Sequence, residues 1–195
     1  MVAPDEWGNT PILWASQYGH TEIVKILVPL TDTPNAPNDE GYTPIHHAAW
    51  KGHTEIVKIL APLTDNPNAP NNNGFTPIYW AASYGYTEIV KILAPLTDNP
   101  NAANNSGETP IYRAALRGHT EIVKILAPLA NNPNASNKYG TTPIHCAACK
   151  GHTEIVKMLA PLSDNPNAPN NNGDTPSSVA KNSEIQRFLE SFKSS

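Results

Sequence analysis

Two cysteines in 195 residues leave no disulfide framework, and reduced thiols are the default reading for such a chain. Basic residues are outnumbered, 13 Lys and Arg against 17 Asp and Glu, with a formal net charge of -4. No positive field therefore exists to hold a polyanion, which excludes nucleic acid as a natural partner. No apolar run reaches bilayer-spanning length, and residues 1–8 lack the charged-then-apolar pattern of a leader, so the expected setting is intracellular and cytoplasmic, away from membranes. The usual marks of catalysis are missing as well: no G-x-S-x-G, no Gly-rich phosphate loop, no pair of carboxylates in a unique setting. The chain reads as non-enzymatic, with no cofactor implied.

One cluster resembles a metal site. His145, Cys146, Cys149 and His152 place C-x2-C between histidines. A structural zinc needs four ligands converging on one point. A helix here would set the two cysteines on its face while both histidines belong to positions shared with other parts of the chain, so no metal is expected.

What the chain has is repetition. Thr-Pro stands at 10, 43, 76, 109, 142 and 175, a period of 33 residues without slippage, which signals a stacked repeat array. The twenty prolines follow the same period, in Thr-Pro, (Val/Ala)-Pro-Leu, Pro-Asn and Ala-Pro steps, as punctuation of turns rather than low complexity. The units run 5–37, 38–70, 71–103, 104–136, 137–169 and 170–195, together one domain over 1–195. Within 38–70, Thr43 and Pro44 suit the cap and first position of a helix ending at Gly52. A second helix starts with Thr54 as cap and Glu55 in its first turn. Ile56, Val57, Ile59, Leu60 and Leu63 give it an apolar face at helical spacing, and Pro62 bends or ends it. Asp-Asn-Pro-Asn-Ala-Pro and the asparagines beyond are turn chemistry. Two short helices cannot bury this much Ile, Val, Leu and Ala alone. The pairs Ala48-Ala49, Ala81-Ala82, Ala114-Ala115 and Ala147-Ala148 admit close helix approach, so stacking supplies the core.

The pattern G-x-T-P-I-H-x-A-A-x-x-G-H-x-E-I-V-K-x-L, at Gly41–Leu60 and again at Gly140–Leu159, resembles the ankyrin repeat, and the resemblance covers essentially the whole chain. It implies an all-α repeat solenoid of two antiparallel helices and a β-turn finger per unit, with fingers and inner helices lining a concave groove. Thr64 and Pro67-Asn68 depart from the family's glycine and Val-Asn steps. The last unit lacks the Ala-Ala pair and the Gly-His step. Glu184, Gln186, Arg187, Glu190 and Lys193 there suit a solvent face, with Ile185, Phe188 and Leu189 inward, as a capping repeat requires. At the other end Ser16 replaces the second Ala, which reads as a fraying cap.

Variation concentrates in the finger and inner helix, which hold all four Trp and all seven Tyr. The resemblance points finger tips and the pair before Gly-His into the groove. Its expected partner-binding residues are Trp7, Tyr18, Tyr42, Trp50, Lys51, Phe75, Trp80, Tyr84, Arg113, Arg117, Tyr139 and Lys150. They form an aromatic side, extended by Trp14, and a basic side, extended by Lys138; interface anchors favour Trp, Tyr and Arg. At Trp14 and Trp80 packing is the slightly stronger reading. His46, Tyr79, Tyr112 and His145 read as framework side chains bonded near the turn, and the Gly-His histidines as structural. The expected function is a protein-binding module, monomeric, taking a peptide or protein with apolar anchors toward one end and acidic groups toward the other. The near-verbatim HTEIVKILAPL also fits an engineered or consensus-like stable scaffold with no native ligand.

Overall fold

The computed structural model describes residues 3–193, with side chains through residue 192. All regular elements among these are helical: α1 (Pro11–Gln17), α2 (Thr21–Leu27), α3 (Pro44–Lys51), α4 (Thr54–Leu60), α5 (Pro77–Tyr84), α6 (Thr87–Leu93), α7 (Pro110–Arg117), α8 (Thr120–Leu126), α9 (Pro143–Lys150), α10 (Thr153–Leu159) and α11 (Ser183–Glu190). The architecture is an all-α repeat solenoid. The chain falls into two compact units, Met1–Pro100 and Asn101–Ser195. In the first, inner helices α1, α3 and α5 pack in succession beside outer helices α2, α4 and α6. In the second, α7 packs on α9, and α8, α10 and α11 form the outer row.

Thr-Pro opens each inner helix from α1 to α9 because proline has no N–H to leave unpaired there. Thr43 Oγ1 accepts the N–H of His46 at 3.4 Å, and His46 Nδ1 accepts the N–H of Thr43 at 3.0 Å, so two orphan donors are satisfied reciprocally. Thr142 and His145 repeat the device. The histidines' other nitrogens reach the carbonyl oxygens of Phe75 and Asp174, both at 3.0 Å, which gives these residues the framework role expected of them.

The outer helices begin differently from expectation. Thr54 is the first helical residue and His53 holds the cap position without a side-chain cap bond. The ring of His53 is used elsewhere: it lies over Gly19 of the preceding repeat, with Nε2 3.3 Å from the Gln17 carbonyl. Tyr86 covers Gly52 and His152 covers Gly118 in the same way. Gly52 and Gly118 have φ of 78° and 81°, a left-handed geometry that ends the inner helix cheaply only with glycine. At the far end Pro62 closes α4 at Leu60, and Ala61–Leu63 tightens into a 3-10 turn. That turn carries Leu63 off the apolar face, to 43% exposure.

The core is the one the repetition requires. Ile56, Val57, Leu60 and both members of every Ala-Ala pair are fully buried, as are Ile89, Val90 and Leu93. Ser16 is equally buried in the alanine's place, and its repeat forms both helices rather than a frayed end. In the last repeat residues 176–179 make a single turn where an inner helix would stand. Ile185 and Leu189 are buried beneath exposed Glu184, Gln186, Arg187 and Glu190. Phe188 is half-buried, and the side chain of Lys193 lies outside the described residues.

The turns depend on asparagine. Asn71 Oδ1 accepts the N–H groups of Asn73 and Phe75, at 3.0 and 2.9 Å, and closes a finger. Asn38, Asn104, Asn137 and Asn170 do the same, and Asp5 takes that place in the first repeat. Neighbouring fingers pair through Asp39 N–H to the Trp7 carbonyl, Asn72 N–H to Glu40, Lys138 N–H to Ser106 and Asn171 N–H to Tyr139. A second set, in the Pro-Asn step, stitches helices. Asn68, Asn101 and Asn167 accept from Ile78, Ile111 and Ser177 N–H, while Asn35 and Asn134 donate to the carbonyls of Leu60 and Leu159. The Ile78 and Ile111 N–H groups are helix-start donors without an intrahelical partner.

Gly52→Ala will lower stability by about 1–2 kcal/mol from the left-handed backbone alone. A Cβ there would also stand 2.7 Å from the Tyr86 ring. In urea unfolding, adding Tyr86→Ala to Gly52→Ala removes that clash but not the backbone strain, so the double variant stays less stable than Tyr86→Ala.

Candidate functional site

The finger and inner helix of each repeat expose the residues that do not recur. In the first unit these are aromatic and touch one another. Tyr42 lies 5.5 Å from the His47 ring, His47 6.2 Å from Trp50, Trp50 5.3 Å from Trp80 at a 30° interplanar angle, and Trp80 6.4 Å from Tyr84 at 26°. Phe75 joins at 5.1 Å from Trp80. The Lys51 ammonium sits 4.7 Å over the Trp50 ring, a cation–π arrangement. Six of the expected binding residues, Tyr42, Trp50, Lys51, Phe75, Trp80 and Tyr84, are thus joined into one surface. Trp14 and Tyr18 make a separate stacked pair at 6.0 Å, and Trp7 stands exposed on its finger.

Exposure grades this surface. Tyr18 and Tyr84 are exposed, while Tyr42, Trp50, Phe75 and Trp80 are half-buried and pack against each other. Trp80 also meets Tyr79 edge-on at 5.5 Å, and its indole nitrogen is buried without a hydrogen-bond partner. Trp14 is partly exposed and donates its indole N–H to Asp5 at 3.2 Å. Both tryptophans therefore pack on one side and meet solvent on the other.

The second unit is sparser. Arg117 and Lys150 are exposed, and Tyr139 is exposed with Lys138 5.0 Å over its ring. Arg113 is half-buried and faces Glu108 at 3.9 Å, which offsets its charge. Cys146 is buried and Cys149 is exposed, so the two thiols lie in different surroundings. Both ring nitrogens of His145 are engaged by Thr142 and Asp174. Among the described residues no group of three or more His, Cys, Asp or Glu could hold a metal ion.

Two residues of the aromatic surface went unselected in the sequence. His47 links Tyr42 to Trp50, buried, with neither ring nitrogen hydrogen-bonded. Tyr86 stacks on Tyr84 at 6.2 Å. A signal for Tyr86 existed: it is the one Gly-His step that reads Gly-Tyr.

A family model of ankyrin repeats, spanning three copies, matches residues 2–71, 63–136 and 129–191. The chain belongs to the ankyrin-repeat family. Ankyrin repeats are generally protein–protein interaction modules, and the family is typically non-enzymatic. Comparison with curated proteins finds no match. Among the described residues no helix of this ankyrin array is long and apolar enough to cross a membrane.

Two buried imidazoles make the array acid-sensitive. Burial pushes His46 down to about 4, and the proton that would add at Nδ1 meets the Thr43 N–H already donated there. Burial, then the Lys51 charge, brings His47 down to about 4. Burial lowers His145 as well. A depressed imidazole is neutral when folded while the unfolded chain takes up protons first. Its contribution to stability is whole above pH 6.5 and drains as pH falls toward about 4. His46 and His47 each add a slope of about 1.4 kcal/mol per pH unit within that window. Urea midpoints measured between pH 7.5 and 4.5 will fall accordingly, and His47→Phe will flatten the dependence by the share of one histidine.

Proposed function

We propose that the chain binds a protein or peptide partner through the exposed face of its fingers and inner helices. The carrying observation is the joined aromatic surface of Tyr42, Trp50, Phe75, Trp80 and Tyr84 with Lys51 at its edge. Nothing in the stacking of repeats calls for an aromatic at these positions, since the equivalent sites of other repeats also hold residues such as Glu108, Thr141, Leu116, Arg113 and Lys150. Pre-packed rings are rigid anchors that lose little side-chain entropy on binding, and such anchors carry most interface energy. In the second unit Arg113, Arg117, Tyr139 and Lys150 are the corresponding candidates and favour acidic groups on the ligand. Trp7 and Tyr18 extend the surface along the first repeat. The reading is of a non-catalytic adaptor without cofactor, working in a reducing intracellular compartment where both cysteines stay thiols.

Near-verbatim repetition of HTEIVKILAPL supports a second reading, a stable scaffold with no native ligand. Capture from lysate with the intact chain and with Tyr18→Ala/Tyr84→Ala/Arg117→Ala separates the two. All three residues are exposed, so melting should move little, roughly 0.5 kcal/mol or less per site. A protein held by the intact chain will then be titrated against both, and the variant should bind at least about thirtyfold more weakly, equivalent to 2 kcal/mol. Equal binding by both overturns this assignment of the surface. No specific capture by either supports the scaffold.

A further inference from the structure

A seventh Thr-Pro step, Thr33-Pro34, stands outside the 33-residue period. The six periodic threonines are all engaged. The hydroxyl oxygens of Thr10, Thr43, Thr76, Thr109, Thr142 and Thr175 each accept the backbone N–H three residues on, and none of these residues is exposed. Thr33 is the opposite case. It is exposed, follows exposed Asp32, and its hydroxyl bonds to nothing among the described residues. Asn66, Asn99, Asn132 and Asn165 fill its place in the later repeats and are exposed too, so the accessibility of Thr33 belongs to the turn and not to the position of its repeat.

The asparagines at this place have a bonding role. Oδ1 of Asn66, Asn132 and Asn165 accepts the N–H of Asn68, Asn134 and Asn167, at 3.1, 3.0 and 3.3 Å. Thr33 makes no such bond, and the N–H of Asn35 has no partner among the described residues. An open donor therefore lies two residues beyond a free hydroxyl. Asn35 itself is held in place, because its side chain donates to the Leu60 carbonyl at 2.9 Å.

We propose that Thr33 is a phosphorylation site for a proline-directed protein kinase, with the Asn35 N–H receiving the phosphate. In the transfer, Thr33 Oγ1 attacks the γ-phosphorus of Mg-ATP. The new O–P bond forms as the bond to the β,γ-bridging oxygen breaks, the hydroxyl proton passes to the kinase's catalytic carboxylate, and ADP leaves. Pro34 is the recognition element for such a kinase. Presenting Thr33 to it opens one turn, held by Thr33 N–H to Thr31 Oγ1 at 3.2 Å and by Ala36 N–H to the Thr33 carbonyl at 3.1 Å. Presenting any of the other six threonines unwinds a helical turn packed on the core. Once attached, the dianion supplies the acceptor that asparagine supplies in other repeats, now charge-assisted.

Incubation of the full chain with Mg-ATP and a cyclin-dependent kinase, and separately with a mitogen-activated kinase, tests this by mass spectrometry of the peptides. One phosphoryl group should appear on Thr33, at least about tenfold faster than on any of the six engaged threonines. Thr33→Asn, the residue the later repeats carry, should keep the circular dichroism of the intact chain and lose that phosphate. In the phosphorylated chain, hydrogen exchange at the Asn35 amide should slow by about tenfold, as a charge-assisted bond of ordinary strength requires. No phosphate on Thr33 with either kinase overturns the proposal, as does transfer to the engaged threonines at an equal rate. Unchanged exchange at Asn35 overturns the role given to its N–H.

Discussion

The contact on which the array depends is a ring laid over a left-handed glycine. Gly52 both ends α3 and leaves room for Tyr86, the residue that starts the next outer helix. Gly19 with His53, and Gly118 with His152, do the same, and Lys181 places its aliphatic stem over Gly151 in the last repeat. Helix reversal and repeat stacking thus meet at one atom-sized gap. A side chain there would oppose both at once, because a Cβ is excluded by the backbone region and by the neighbour's ring. The fully buried Ile, Val and Leu of the outer helices then register against one another without needing any long-range tie.

Much of this is legible in the residues because repetition separates two kinds of information. Whatever recurs every 33 residues must serve stacking, so Thr-Pro, Ala-Ala and Glu-Ile-Val-Lys could be assigned without coordinates. Pro62 announces the end of α4 by its lost N–H. The opening of the outer helix was misjudged for a local reason. Threonine before glutamate is a good cap by propensity, but the glycine turn sets His53 in the cap position and sends its ring to the preceding repeat. Local preference yielded to a contact 34 residues away, between Gly19 and His53.

The candidate surface was legible in composition and less so in contact. Trp50, Trp80 and Tyr84 stand out in sequence as departures from the repeat. That Trp80 would lie among Trp50, Phe75, Tyr79 and Tyr84 depends on how α3 and α5 pack. His47 was hidden because it follows His46, a framework histidine, while its neighbours in space are the rings of Tyr42 and Trp50. The basic character expected of the second unit is lessened for a similar reason: Arg113 meets Glu108, five residues earlier in the chain and close beside it in the fold.

The asparagine that closes each finger has a further consequence. Its Oδ1 takes the two backbone N–H groups that the tip would otherwise leave open, so closing the turn does not call on the tip's own side chains, and Asn72 is available to donate to the Asp39 carbonyl of the preceding finger at 2.9 Å. Asp39-Glu40, Asn72-Asn73, Asn105-Ser106 and Lys138-Tyr139 occupy equivalent places with unrelated chemistry. Shape and specificity are therefore inherited separately along this chain. A lineage can rewrite what the fingers present, one repeat at a time, while the rule that folds them passes on unchanged.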